Sequence, residues 1–184
     1  MFKIFYTRDE ALKTFLNCHT LSGYSYSKLY KKTVLEELFF PEDMSFGEDG
    51  VFGLRAYNKA GAGVSFSPRP IYNYRIRKGS LSGHGEEFSK KDLEIIKQIE
   101  YAKDCLESEE YKKDLNIFEF LSYSGILLKY EKSSDVIQEM FKKDFIKMRD
   151  ACNACWKDCF FYAVNPKYRI KALQYGIKMV TCRY

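Results

Sequence analysis

The second half of the chain has apolar residues at helical spacing from Ser89 onward, and this pattern limits the possible folds more than any other feature. A capping box, Ser89-x-x-Asp92, predicts where the first of these helices begins. A last helix is predicted after Asn165-Pro166, because asparagine is a favoured N-cap and proline suits the first helical position. Between them, two more helices are predicted over 109–130 and 135–161.

The first half has a mixed pattern. Thr7-x-x-Glu10 is a second capping box, and a helix is predicted from Glu48-Asp49 to Lys59, with its interior glycines facing another backbone or a ligand. Two strands are predicted over 63–67 and 71–77. The organisation therefore divides near residue 88, and the expected fold class is α/β, or α+β if the chain is a fragment.

Composition favours a globular protein with a mild positive charge. The 30 basic and 25 acidic residues give a net charge of +5, which favours a small anionic partner or a lipid surface over nucleic acid. No acidic residue lies between Asp49 and Glu86. The basic residues of this interval are Arg55, Lys59, Arg69, Arg75, Arg77 and Lys78. They form either a phosphate-sized positive site or a solvated surface.

Three of the six cysteines, Cys152, Cys155 and Cys159, are spaced to share one helix face. A structural zinc site needs a fourth ligand, and no second close pair follows, so small buried apolar side chains are the simpler interpretation. The chain has no apolar run of about 20 residues and no secretory signal, which predicts a cytoplasmic protein with reduced thiols.

The last predicted helix is basic and amphipathic. Its apolar stripe is Ile170, Leu173, Ile177 and Val180. Lysines and arginines accompany this stripe, and no acidic residue follows Asp158. Such a helix either lies on an anionic membrane or docks on the helical bundle through the same stripe. Docking is the simpler of the two interpretations.

Three sequence blocks suggest a family. They are Tyr26-Ser27-Lys28-Leu29-Tyr30-Lys31-Lys32, then Phe40-Pro41-Glu42 leading to Glu48-Asp49-x-x-Phe52, then Pro70-Ile71-Tyr72-Asn73-Tyr74-Arg75 with Gly79-Ser80-Leu81-Ser82. In order and spacing they resemble the acceptor-side half of family 2 glycosyltransferases with the GT-A fold. The resemblance implies a partial GT-A-like sheet in residues 1–88, a helical C-terminal tail in residues 89–184, and inverting sugar transfer from a nucleotide sugar.

The resemblance also implies roles for individual residues. Asp49 would be the general base, because a sugar hydroxyl attacks well only when a carboxylate takes its proton. Glu48 would orient Asp49 or bind an acceptor hydroxyl. The alternative for both carboxylates is charge pairing at a helix N-terminus. Arg75 and Arg77 would neutralise the donor diphosphate, or else mark an exposed strand end. His84 is a weak candidate metal ligand, and no other metal ligand is expected.

The chain departs from the family pattern where the donor should bind. It has no Asp-x-Asp pair and begins where the nucleotide-binding half of the family ends. We therefore expect an incomplete enzyme, inactive alone, with manganese or magnesium required only in the complete one.

The expected partners are a nucleotide sugar, a carbohydrate or lipid-linked acceptor, and a second copy or a donor-half chain. A further candidate partner is the inner face of the membrane, which the protein would contact peripherally. The alternative is a non-catalytic helical module that binds a partner protein or a membrane.

Overall fold

The fold was determined as a computed structural model, which describes residues 4–18, 21–73, 75 and 87–181. Helices hold 65% of the described residues and strands hold 2%. The protein is therefore helical, and the expectation of an α/β fold with a partial GT-A-like sheet was wrong.

The sheet within the described part is one antiparallel pair, β1 (Phe5–Tyr6) and β2 (Val64–Ser65), with Phe5 opposite Ser65. The predicted strand over 63–67 is reduced to two residues, because its partner strand ends where Thr7 caps a helix. The strand predicted over 71–77 is absent at its described positions, 71–73 and 75. Its other positions lie outside the described residues.

Eight α-helices make up most of the described fold. They are α1 (Arg8–Leu16), α2 (Lys32–Leu35), α3 (Glu48–Lys59), α4 (Glu94–Cys105), α5 (Lys112–Glu131), α6 (Asp135–Met140), α7 (Lys142–Tyr162) and α8 (Pro166–Thr181). Short 3-10 turns precede α4 and α5. The single helix predicted over 135–161 was wrong, because the helical backbone is interrupted at Phe141.

Both predicted capping boxes are confirmed. The Glu10 amide donates to the Thr7 hydroxyl at 3.3 Å, and the Thr7 amide donates to the Glu10 carboxylate at 2.9 Å. At the second box, the Ser89 amide donates to Asp92 at 2.8 Å. Asp92 is buried and also pairs with Lys129 at 2.8 Å, so this cap ties the turn before α4 to α5.

The main core lies between α5 and α7, which form the most extensive helix contact. It includes side chains from both halves of the sequence, for example Leu12 and Leu54 together with Phe118 and Met148. The halves thus share one buried cluster. The boundary near residue 88 stays a prediction.

Helix α8 docks on α7 through a face that the sequence pattern did not predict. Ala172 is buried, and Gly176 lies against Trp156, where an added Cβ would be 2.6 Å from the indole ring. The predicted stripe faces outward instead, with Ile170 57% exposed and Val180 82% exposed. The prediction that this stripe docks on the bundle was wrong, because close helix approach here selects small residues.

Within the described residues, no helix is long and apolar enough to cross a membrane.

Candidate functional site

The two carboxylates singled out by the sequence lie in the first turn of α3, as predicted. Glu48 and Asp49 are both half-buried. Gly47 precedes them in the left-handed region, with φ of 81°, which glycine adopts without strain. The free amides of a helix N-terminus favour negative charge, so this turn is a suitable place for ionised carboxylates.

Helix α4 fixes the loop that enters α3. The Glu94 carboxylate accepts hydrogen bonds from the Ser45 amide at 2.6 Å and the Phe46 amide at 2.7 Å. Lys97 pairs with Asp43 at 2.7 Å. Two residues of α4 thus hold the four residues before Gly47, and this anchoring sets where the first turn of α3 begins.

The interior glycines of α3 allow another backbone to approach, as predicted. A Cβ added to Gly53 would lie 2.9 Å from the carbonyl oxygen of Gly23, and one added to Gly23 would lie 2.9 Å from the Cα of Gly50. The segment after α1 therefore rests directly on the helix. This contact brings residues 22–30 beside the carboxylates at the start of α3.

Lys28 and Tyr30, both in that segment, are electrostatically coupled to Asp49. Burial lowers the pKa of Lys28, and the Asp49 carboxylate opposes this shift. The Lys28 ammonium donates to the Tyr24 carbonyl and, at 3.4 Å, to the Ser22 hydroxyl. Burial raises the pKa of Tyr30, and the charge of Asp49 adds to the rise. Asp49 thus shares its surroundings with a partly desolvated cation and a phenol.

The Tyr30 hydroxyl is buried and has no hydrogen-bond partner among the described residues. Its ring packs edge-on against Phe52 with a centroid distance of 5.7 Å. The neighbouring Tyr57 differs, because its hydroxyl donates to the Ser22 carbonyl at 3.0 Å. A buried polar atom without a partner costs free energy, so the Tyr30 hydroxyl destabilises this part of the fold.

Three tyrosines form a stacked column beside this segment. The rings of Tyr24 and Tyr26 are 4.9 Å apart, and those of Tyr26 and Tyr72 are 4.8 Å apart. Tyr24 and Tyr72, at the two ends, are about half exposed. The column joins the 22–30 segment to the stretch that contains Arg75, and its two end residues are open to solvent.

For the other predicted site residues, the structure shows no contact with the carboxylates of α3 or does not describe the residue. Arg75 is exposed, and among the described residues no hydrogen bond or ion pair joins it to Asp49. Arg77 and His84 lie outside the described residues. The diphosphate role of the arginines and the metal role of His84 stay predictions.

Sequence reasoning missed several members of the site. It favours a structural or solvated Lys28 over a ligand role, and it gives no role to Tyr24, Tyr30 or Tyr72. The signal was the pairing of tyrosines two residues apart, at 24 and 26 and at 72 and 74. Their stacking depends on a contact between distant segments, which local spacing does not reveal.

The cysteines behave as buried apolar side chains, as predicted. Cys152, Cys155 and Cys159 are free thiols in the main core. Burial raises the pKa of Cys155 and of Cys159 to about 12. In the described part of the chain, no three His, Cys, Asp or Glu side chains cluster closely enough to hold a metal ion.

A cavity of about 360 Å³ lies elsewhere, between α5, α7 and α8. Its walls combine apolar residues such as Leu127 and Phe145 with Arg149 and Lys171.

Comparisons with protein-family models, curated proteins and solved structures found no match to the chain.

Proposed function

We propose that the surface at the start of α3 binds a carbohydrate acceptor for inverting sugar transfer, with Asp49 as the general base. The observation that carries the proposal is the grouping of the half-buried Asp49 carboxylate with the coupled Lys28 ammonium, beside the stacked tyrosine column. The sequence resemblance to family 2 glycosyltransferases supports the reaction type. The helical fold of the described residues contributes nothing to this assignment.

The chemistry requires a carboxylate that an incoming alcohol can reach. Asp49 is half-buried, so water is partly excluded from its surroundings. It takes the proton as the acceptor oxygen attacks the anomeric carbon, the bond to the nucleotide diphosphate breaks, and the configuration inverts. We propose that Glu48, the neighbouring residue in the first turn of α3, orients Asp49 or binds a second acceptor hydroxyl.

The tyrosines supply the binding surface. A pyranose ring has an apolar face of C–H groups and an edge of hydroxyls, and tyrosine has an apolar ring with a polar tip. The half-exposed rings of Tyr24 and Tyr72 suit the first, while the Lys28 ammonium and the Asp49 carboxylate suit the second. This combination favours a sugar over a purely apolar ligand.

The donor requires residues that this chain does not contain. The sequence has no Asp-x-Asp pair to hold a metal and a diphosphate. We therefore propose that another polypeptide segment binds the nucleotide sugar and its Mn²⁺ or Mg²⁺. The leaving diphosphate needs this electrostatic stabilisation, so the chain alone does not turn over.

Thermal denaturation with each ligand class tests the proposal. A panel of gluco-, galacto- and N-acetylhexosamine saccharides is compared with nucleotide sugars plus Mn²⁺. A saccharide at about ten times its Kd stabilises the folded state by roughly 1.4 kcal/mol, and nucleotide sugars shift it by less than about 1 kcal/mol. Stabilisation by nucleotide sugars and by none of the saccharides would overturn the proposal.

A matched pair of tyrosine variants locates the bound sugar. Tyr72→Ala removes one end of the column and is expected to abolish the saccharide shift. Tyr162→Ala, on α7, removes a ring of nearly equal exposure, 51% against 50%, and is expected to leave the shift unchanged. Equal loss in both variants would show that the sugar does not bind at the column.

A further inference from the structure

The outward face of α8 is apolar, although the helix is well packed on its other side. Ile170, Leu173, Ile177 and Val180 are all exposed, and helical geometry places them within one arc of the surface. The contacts of α8 with the bundle include Ala172, which is buried, and Gly176, which lies against Trp156. The stripe residues stay 42–82% exposed although α8 is docked on the bundle.

Charge on α8 is entirely positive. Its basic residues are Lys167, Arg169, Lys171 and Lys178, and neither aspartate nor glutamate occurs after Asp158. Lys167 and Lys178 border one side of the apolar stripe, and Arg169 borders the other. The Lys178 ammonium pairs with Glu131 at 2.7 Å, and Arg169 donates to the Ala163 carbonyl at 2.6 Å. Those two contacts fix the helix to the bundle, while Lys167 is exposed.

An exposed apolar stripe bordered by cations matches the interface of an anionic bilayer. The stripe would enter the boundary between headgroups and acyl chains, and the exposed Lys167 and Arg169 would contact the negative headgroups. The 16 residues of α8 span about 24 Å, long enough for the four stripe residues to lie along the interface together. A protein partner would need a groove that is both apolar and acidic. An anionic membrane has an apolar interior beneath negative headgroups over its whole surface.

We propose that α8 docks this protein on an anionic membrane surface, lying in the interface plane without crossing the bilayer. The bundle then faces water. This inference goes beyond the proposed sugar transfer and rests on different residues, so either proposal can fail without the other.

Vesicle flotation of the whole chain tests the docking. We expect binding to equimolar phosphatidylcholine and phosphatidylglycerol, little binding to phosphatidylcholine alone, and release when salt rises from about 0.1 M to about 1 M. Ile170→Ser/Val180→Ser is expected to weaken binding roughly tenfold or more. Lys167→Gln is expected to weaken it about fivefold.

Matched control variants lie outside α8. Val136→Ser/Met140→Ser changes two exposed apolar residues of α6, and Lys132→Gln removes an exposed charge that follows α5. Both are expected to retain binding within about twofold. Circular dichroism melts establish that each variant folds.

Three results would overturn the proposal. They are failure of the wild-type chain to bind the anionic vesicles, equal loss of binding in stripe and control variants, and equal binding to neutral and anionic vesicles. Light scattering adds a fourth, a dimer that Ile170→Ser/Val180→Ser dissociates, because a second copy would then cover the stripe.

Discussion

Replacing Gly53 by alanine tests the contact that builds the candidate site. The new Cβ would lie 2.9 Å from the Gly23 carbonyl oxygen and 3.4 Å from its Cα, so the backbone of residues 22–24 must move. Overpacking of this kind costs about 1–3 kcal/mol, while removing a helix-interior glycine gains about 0.5–1 kcal/mol. The expected net effect is a loss of about 1–2 kcal/mol in the free energy of unfolding.

Gly125→Ala in α5 is the matched control, because nothing lies within 4 Å of its added Cβ. This variant gains helix propensity without a clash, so we expect stabilisation by about 0.5–1 kcal/mol. Urea unfolding followed by circular dichroism measures both variants. The reasoning is refuted if Gly53→Ala stabilises the protein as much as Gly125→Ala does.

Three further predictions concern the core and its charges. Lys129→Met leaves the buried Asp92 without its cation and should lower the free energy of unfolding by about 3–5 kcal/mol. In the same urea assay, Lys112→Met, which breaks an exposed pair, should lower it by less than about 1 kcal/mol. Iodoacetamide should leave Cys152, Cys155 and Cys159 unmodified until the protein unfolds, with or without Zn²⁺; a Zn²⁺-dependent rise in Tm would instead indicate a metal site. Burial raises the pKa of Asp114, so the native state binds this proton more tightly than the unfolded state does. The contribution of Asp114 to stability is therefore present at low pH and lost as pH rises through the raised pKa. Relative to Asp114→Asn, the wild-type protein should lose stability as pH rises above about pH 4, the ordinary range of an aspartate pKa, and a pH-independent difference would contradict the assignment.

Local signals in the sequence predicted the local parts of the fold. The capping boxes at Thr7 and Ser89 and the start of α3 at Glu48 depend on residues within one turn, and the structure has them at those positions. The glycines of α3 indicated a close approach, and Gly23 provides it. Strand pairing depends on distant segments, so the alternation at 71–75 misled the prediction of a sheet.

The face through which α8 docks could not be predicted from the local sequence either. Apolar periodicity identifies an amphipathic helix, but it does not tell whether the bundle or another surface covers the stripe. Here the indole of Trp156 demands a glycine on the docked side, and this steric condition outweighs the hydrophobicity of Ile170 and Val180. The column of Tyr24, Tyr26 and Tyr72 was missed for a similar reason, since it joins segments more than 40 residues apart.

The affinity of a saccharide for Asp49 variants tests the central claim most directly. With a sugar that stabilises the wild-type chain, NMR titration is run on Asp49→Ala and on Glu48→Ala, which removes the adjacent carboxylate. If Asp49 accepts the hydrogen bond of the attacking hydroxyl, its loss should cost about 1.5–3 kcal/mol, or at least tenfold in Kd, and Glu48→Ala should cost less. The account would be contradicted if Asp49→Ala binds the saccharide with unchanged affinity while the saccharide shifts the Tyr24 and Tyr72 resonances as it does in the wild-type chain.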